Sequence, residues 1–573
     1  MRAPSALRPL ALLLPLAAAC ATAQPEPATA QPSDARFEWF EYMGDDPAFR
    51  QNRAGANEYL NPVLAGFYPD PSIARAGDDY YMVTSSFAYF PGVPLFHSRD
   101  LVNWTQIGHV LSRPSQLNLD SAGISRGIFA PVIRYNAGTF YMITTIVDRG
   151  GNFIVTATDP RGPWSDPVFL PEVDGIDPSI FFDDNGKAYI VNNGPPIGAP
   201  LYEGHRAIWM QEFDAASQRM TGPRRLIVNG GVDLARKPIW IEAPHILKVD
   251  GRYYLICAEG GTAEQHSEVV FRADSPWGPW IPWTENPILT QRHLDPARPL
   301  PITTTGHADF VRTPRGEWWA VFLGVRPYRG DHYNNGRETY LLPVRWTEDG
   351  WPEILRGDAT VPYAGRRPDL PAQPAPPIPM TGNFTHRDEF DGAALAPEWV
   401  FIRTPREHWH ALSSGALVLR PRAAVLGDVG AQPSFVGRRQ QHAYGSASTA
   451  VRYTPRAEGD RAGLAAFHDD KHFYLLSVAR RDGRPVVQLE QRSGDAPATV
   501  IASAPLTVPA DGPVYLKVEA RGDGYAFSYG TRPGEWAVLK DDADGTVLST
   551  KVAGGFVGTM LGMYAHSASD SAR

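Results

Sequence analysis

One pattern recurs five times along the 573 residues: a short loop ending in Gly runs into an aromatic, β-rich stretch. The copies are Gly77-Asp78-Asp79-Tyr80-Tyr81, Gly138-Thr139-Phe140-Tyr141, Gly186-Lys187-Ala188-Tyr189, Gly251-Arg252-Tyr253-Tyr254 and Gly316-Glu317-Trp318-Trp319. Their glycines lie 61, 48, 65 and 65 residues apart, room for about four strands and their loops in each interval. Between them, short alternating stretches are punctuated by Gly, Pro, Asn and Asp, and no long stretch carries a 3.6-residue period. Pro (54) and Gly (53) are abundant and spread along the chain, which signals many turns rather than one disordered block. Four-stranded units repeated around an axis make a propeller. The expected fold is all-β, with five blades.

From about Trp346 to Gly382 the alternation lapses. Pro362, Pro368, Pro371, Pro374, Pro376, Pro377 and Pro379 crowd a stretch that reads as a semi-rigid linker. Beyond it, residues 416–420, 447–453, 473–479, 486–491 and 514–520 alternate well, separated by turn residues at the spacing of an antiparallel sandwich. The expected layout is an N-terminal extension over 24–57, a propeller over 58–360, a linker over 361–383 and a β-sandwich over 384–573.

Residues 1–23 read as a secretory signal. Arg2 and Arg8 precede an apolar run over 9–19, too short to cross a bilayer. Cleavage after Ala21-Thr22-Ala23 competes with a lipoprotein reading of Leu16-Ala17-Ala18-Ala19-Cys20, which would tether the chain through Cys20. Either way only Cys257 is left to pair, so no intrachain disulfide is expected. The protein is expected to be exported, periplasmic or extracellular, without a transmembrane span. Lys+Arg 54 against Asp+Glu 62, with no basic block, argues against a nucleic-acid partner. Nothing in the sequence sets an oligomeric state.

The repeat also supplies a register. Nine residues before the glycine stand Phe129, Asp177, Glu242 and His307 in copies two to five; in the first copy Asp70 stands seven before Gly77. Equivalent positions of equivalent blades point the same way, so these five side chains are expected to converge on the propeller axis. Three carboxylates at one end of an axis repel one another unless each has a task or a partner. Paired carboxylates flanking a bond are the usual apparatus of glycoside cleavage, one protonated to serve the leaving oxygen, the other ionised to activate water or attack directly. A third negative charge beside the acid raises its pKa and keeps it loaded. The 15 Trp, 23 Tyr and 25 Phe are enough to line a sugar cleft as well as a large core.

Phe67-Tyr68-Pro69-Asp70-Pro71-Ser72, Gly175-Ile176-Asp177-Pro178-Ser179 and Ile241-Glu242-Ala243-Pro244-His245 resemble the three signature blocks of glycoside hydrolase family 43. Ser86-Phe87-Ala88-Tyr89-Phe90-Pro91-Gly92, Thr305-Gly306-His307-Ala308-Asp309, Gly336-Arg337-Glu338-Thr339 and Pro433-Ser434-Phe435-Val436-Gly437-Arg438-Arg439-Gln440 are similar to blocks of its β-xylosidase and α-L-arabinofuranosidase branch, whose second domain is a concanavalin-like antiparallel β-sandwich. The resemblance covers roughly residues 58 to 565. It implies that Asp70 is the general base, Glu242 the general acid, and Asp177 the residue that orients Glu242 and raises its pKa. It implies inversion in one displacement, an Arg337 contact to sugar hydroxyls, a pocket walled by Phe87 and Phe129, and a central water or ion held by His307. Phe556, in Gly554-Gly555-Phe556-Val557-Gly558, is the candidate for a sandwich loop that closes the pocket and confines the enzyme to terminal sugars. Two positions depart from the family pattern: Tyr68 stands where Asn is frequent, and Phe129 where Trp is frequent. The expected substrate is the pentose end, β-D-xylosyl or α-L-arabinofuranosyl, of hemicellulose-derived oligosaccharides. An enzyme confined to arabinofuranosyl side chains of arabinoxylan or xyloglucan is the alternative.

Blander readings exist for each residue. Asp-Pro dipeptides start ordinary turns; His307 can be a satisfied core histidine; Arg337 can pair with Glu338 or Asp331; Phe87 and Phe129 can be core. Asp183-Asp184-Asn185-Gly186 lacks the spacing and terminal Glu of a calcium loop and reads as a hairpin turn. No redox or nucleotide cofactor is implied; a structural calcium near His307 or in the sandwich stays open, without a legible ligand set. Two rival functions are a β-fructosidase on the same architecture, with its carboxylates about 5 Å apart rather than the roughly 6.5–9.5 Å of an inverting pair, and a non-catalytic glycan-binding propeller. Finally, 561–566 reads as the last strand of the sandwich, and the resemblance implies one more aromatic, acidic strand. Phe37-Glu38-Trp39-Phe40-Glu41-Tyr42 is expected to supply it as an edge strand.

Overall fold

The computed structural model describes residues 33–507 and 512–568; the leader and Cys20 lie outside them. The repeat folds into five sheets of four antiparallel strands, taken in chain order, whose first strands are Ser72–Ala76, Val132–Asn136, Ile176–Phe182, Glu242–Val249 and Thr303–Arg312. A fifth short strand, Leu289–Thr290, is added to the fourth blade. Each repeat glycine lies in the hairpin between the first and second strand of its blade. Gly77, Gly138, Gly186, Gly251 and Gly316 all have φ between 66° and 91°, with open space where a Cβ would stand, apart from a guanidinium 3.6 Å from that of Gly316. Backbone conformation, not crowding, requires glycine there. The Asp183–Gly186 run is such a hairpin, and the Asp183 carboxylate accepts from Lys248 Nζ (3.0 Å) and Tyr253 Oη (2.8 Å).

One polar cluster joins all five first strands. Asp309 accepts from Ser72 Oγ (2.7 Å), from Arg134 Nη1 (2.7 Å) and from Arg134 Nη2 (3.0 Å). Arg134 Nη2 also reaches His245 Nδ1 at 2.9 Å, and Ser179 Oγ lies 3.2 Å from the same nitrogen. Burial pushes the His245 pKa down to about 3, so the imidazole is neutral and its Nδ1 accepts from both donors. Each blade contributes one side chain, two to five residues beyond its axial position in the repeat register.

The second domain is a sandwich of two eight-stranded sheets. In Val514–Arg521, Val514, Leu516, Val518 and Ala520 are buried and alternate with more exposed residues, the period-two signature that the sequence carries. The N-terminal segment is not an edge strand, as expected, but an interior one. Ala35–Gly44 pairs with Leu417–Leu419 and Thr385–Asp388 on one side and with Tyr444–Arg452 on the other. Phe37, Phe40 and Tyr42 are buried to within 1%, and an edge position would leave that apolar row and its backbone groups half covered.

The proline-rich stretch is strapped down rather than spanning a gap. Met380 O accepts from Ala65 N, Tyr363 O accepts from Asn61 N, and Arg367 pairs with the buried Asp100. Propeller and sandwich share structure directly. Tyr89–Phe90, from the block after Ser86, extends a sandwich sheet by pairing with Val400–Ile402. Phe67, Phe87 and Tyr89 pack in one apolar cluster with Val400, Phe435 and Tyr564.

Candidate active site

The first strands begin at one end of the axis, and there the backbone leaves regular geometry. Strand register slips between Ile176 and Ser179, between Glu242 and His245, and between Gly306 and Asp309. Asp70, Phe87, Asp177, Ala243 and His307 all have φ between 48° and 56°. Bulges of this kind re-aim side chains, and left-handed non-glycine residues persist only where their surroundings over-determine them, as they do at functional sites. The side chains thus turned inward line a pocket of about 350 Å³. It contains all eight residues expected from the sequence: Asp70, Asp177, Glu242, Phe87, Phe129, His307, Arg337 and Phe556.

The three carboxylates are 5–7% exposed but sit in different surroundings. Asp70 accepts from Arg337 Nη1 (2.7 Å) and from Ser85 Oγ (2.6 Å), with His307 Nδ1 3.6 Å away. Burial pushes its pKa up, but Arg337, His307 and Ser85 outweigh burial and hold it below the ordinary carboxylate value. Asp177 accepts one bond, from Ala243 N at 3.3 Å; burial and the Asp70 charge push its pKa up to about 7. Glu242 is raised well above the usual range by burial, then by Asp177 and Asp70, with Arg337 and Arg206 pulling weakly the other way. One carboxylate is pulled towards its ionised form and another towards its protonated form in the same pocket, which is the pairing that acid–base cleavage needs.

Arg337 pairs with neither alternative partner. Glu338 is taken by Arg326 (2.6 Å) and Asp331 by Lys551 (2.6 Å), while Arg337 Nε is buried without a partner. Burial lowers the His307 pKa against the pull of Asp70. Phe87 stacks on Phe556 (centroids 6.0 Å), and Phe129 meets Phe556 edge-on at 5.8 Å. Phe556 comes from the sandwich: its N–H donates to Ser125 Oγ of the propeller (2.9 Å), and Gly555 (φ 75°) leaves room for Ser125 where a Cβ would collide. Tyr68, by contrast, points away from the pocket, against Phe96 and under the Arg439 guanidinium. Of the two departures from the family pattern, only Phe129 faces the substrate space.

Among the described residues, no group of three or more His, Cys, Asp or Glu is arranged to hold a metal ion. The sequence reading missed Trp240, Thr262 and Arg126, which line the pocket and are less buried than its carboxylates, and Ser85, which serves Asp70. Trp240 stands two residues before Glu242 and Ser85 directly before the Ser86 block, so proximity to a signature block was the available signal.

Residues 59–352 match the family described as "Glycosyl hydrolases family 43". The chain belongs to glycoside hydrolase family 43. Residues 387–573 match its "Beta xylosidase C-terminal Concanavalin A-like domain". A xylosidase/arabinosidase of Butyrivibrio fibrisolvens is 40% identical over 515 residues, 88% of this chain and 95% of that protein. A non-reducing end α-L-arabinofuranosidase of Bacteroides ovatus is 37% identical, over 88% of this chain and 91% of its own. The crystal structure of a family 43 protein retrieved from a capybara gut metagenome is similar with a TM-score of 0.86 and 41% identity, covering 94% of this chain and 100% of that one. This family 43 member is a glycosidase, which sets aside the non-catalytic propeller, and the family match speaks against the β-fructosidase.

Proposed function

We propose that the protein is an exo-acting, inverting glycosidase that releases terminal β-D-xylose, α-L-arabinofuranose or both from hemicellulose-derived oligosaccharides. The opposed ionisation of Asp70 and Glu242 within one pocket carries this reading. Glu242 donates its carboxylic proton to the glycosidic oxygen as that bond breaks. A water on the opposite face of the sugar attacks the anomeric carbon and gives its proton to Asp70. Asp177, acting on Glu242 through its charge and placed by Ala243 N–H, keeps the acid loaded between turnovers. Arg337 holds Asp70 ionised with a guanidinium that lines the pocket, within reach of the sugar hydroxyls. The Phe87–Phe129–Phe556 wall, closed by the sandwich loop, supports exo action, because a sealed end admits only a terminal residue. The acid–base step uses groups the chain itself supplies and asks for no cofactor. The names of the two relatives support both pentoses and do not rank them.

The test is hydrolysis of aryl β-D-xylopyranoside and aryl α-L-arabinofuranoside by the wild type beside Asp70→Ala and Glu242→Ala, with the first-formed anomer read by NMR. Release of a pentose with inverted configuration, absent in both variants on natural oligosaccharides, is expected; a retained anomer overturns the mechanism. Export belongs to the same reading and rests on Arg2, Arg8 and the apolar run over 9–19. Cell fractionation and lipid labelling, with and without Cys20→Ala, test it.

A further inference from the structure

Trp240 stands at the pocket mouth, two residues before Glu242 and upstream of the first residue of its strand. Its φ is 51°, a conformation that a bulky aromatic residue adopts only under constraint. The constraint is visible on both sides: Trp240 N donates to Gly204 O (2.8 Å), and Gly260 N donates to Ile239 O (2.9 Å). The Arg206 guanidinium lies over the indole at 4.2 Å from a ring centroid. Arg206 has no carboxylate within ion-pair distance among the described residues, and its Nε is buried without a partner. The arginine therefore backs the ring and does not serve an ion pair. Gly261 passes the ring edge, so that even a Cβ there would stand 3.8 Å from it. With Arg206 on one face, half-buried Trp240 turns another part of its surface to the pocket.

Asp70, Asp177, Glu242 and Phe87 are buried in the pocket, and Phe129 and Phe556 beside them are half-buried; the sugar to be released must sit among them. Trp240 is beside the acid at the open end, where the sugar on the other side of the bond must sit once Glu242 protonates the oxygen between them. Thr262 forms part of this mouth and also of an adjoining cavity of about 510 Å³ between propeller and sandwich, which Ile239 and Tyr333 line as well. A chain leaving the mouth therefore has somewhere to go. We propose that Trp240, backed by Arg206, is the stacking platform for the first sugar on the leaving-group side, and that it selects glycan leaving groups over small ones. Sugar C–H faces pack on flat aromatic surfaces without charge, which suits a neutral pentosan. The assignment rests on the proposed glycosidase reading of the same pocket.

The experiment compares kcat/KM on two substrates carrying the same terminal pentose: a natural disaccharide, whose leaving sugar reaches the mouth, and the pentosyl fluoride, whose leaving atom does not. In Trp240→Ala the disaccharide-to-fluoride ratio is expected to fall at least tenfold. Trp240→Leu, which keeps an apolar side chain against Arg206 without a flat face, should give the same fall, and Trp240→Tyr should stay within threefold of the wild-type ratio. An unchanged ratio in both the Ala and Leu variants, with pentose still released, overturns the platform alone. A fall on both substrates by one factor also overturns it and makes Trp240 a wall of the inner sugar site. Wild-type release from neither substrate overturns the function reading, and this assignment with it.

Discussion

Arg337 Nη1 lies 2.7 Å from Asp70 Oδ1, and both side chains are only 6% exposed. The base is therefore held by a cation from another blade, far away in sequence, and removing either partner leaves the other charge buried and alone. Without Arg337, burial becomes the dominant influence on Asp70 and its pKa rises. Since Asp70 works ionised, activity is lost as pH falls through that pKa. Arg337→Ala should move the acidic limb of the pH–kcat/KM profile to higher pH and lower activity at neutral pH by about 10²–10³-fold.

Asp177 acts on the opposite limb. Glu242 works protonated, so activity is lost as pH rises through its pKa, which the Asp177 charge helps to raise. Asp177→Asn removes that charge and keeps the shape. The alkaline limb should move to lower pH, with a loss of about 10²-fold at neutral pH. A profile that shifts on the acidic side instead would contradict the assignment of Glu242 as acid.

Glu242→Ala should depend on the leaving group, whereas Asp70→Ala should not. A dinitrophenyl pentoside needs little protonation to leave, so Glu242→Ala should retain far more of its activity on that substrate than on a natural disaccharide. Asp70→Ala should be equally poor on both, because the attacking water still lacks its base. Steady-state rates on the two substrates decide it.

The five-blade cluster predicts a pH-dependent stability. Burial raises the Asp309 pKa, but Arg134, His245 and Ser72 outweigh it and bring it to about 2, below the unfolded value of about 3.9. A carboxylate depressed in this way stabilises the fold fully above pH ~4 and loses that contribution as pH falls through its folded pKa, a term of about 2–3 kcal/mol. Asp309→Ala should cost about 3–5 kcal/mol at pH 7 by stranding Arg134, and its gap to wild type in thermal unfolding should narrow as pH is lowered from 5 towards 2.

Deleting residues 24–45 should prevent the sandwich from folding rather than trim its border. The segment buries Phe37, Phe40 and Tyr42, each worth about 1.5–3 kcal/mol, and fills an interior slot between two strands. Because the sandwich also supplies Phe556, soluble yield and activity should fall together. An unaltered melting profile would contradict the interior placement.

How far the sequence could be read depended on the kind of constraint. The repeat glycines were legible because a hairpin needing positive φ accepts few residues, and that local demand recurs at each blade. Asp70, Asp177, Glu242 and His307 were legible because register carries one position from blade to blade. The N-terminal strand was recognisable from Phe37, Phe40 and Tyr42, yet its slot was not, since alternation reports which face is buried and says nothing of which neighbours supply hydrogen bonds. Trp240 went unread for a related reason: a tryptophan in a loop carries no period, and only Arg206, brought in from the preceding blade, shows which face is occupied.

What the sequence determined by itself is therefore whatever repeats or alternates: five blades, a sandwich, and carboxylates brought to one end of an axis. Which carboxylate is ionised was decided only by tertiary structure. A pKa in a buried pocket is set by charges and donors within a few ångströms, and for Asp70 these are Arg337, His307 and Ser85, contributed by separate parts of the chain.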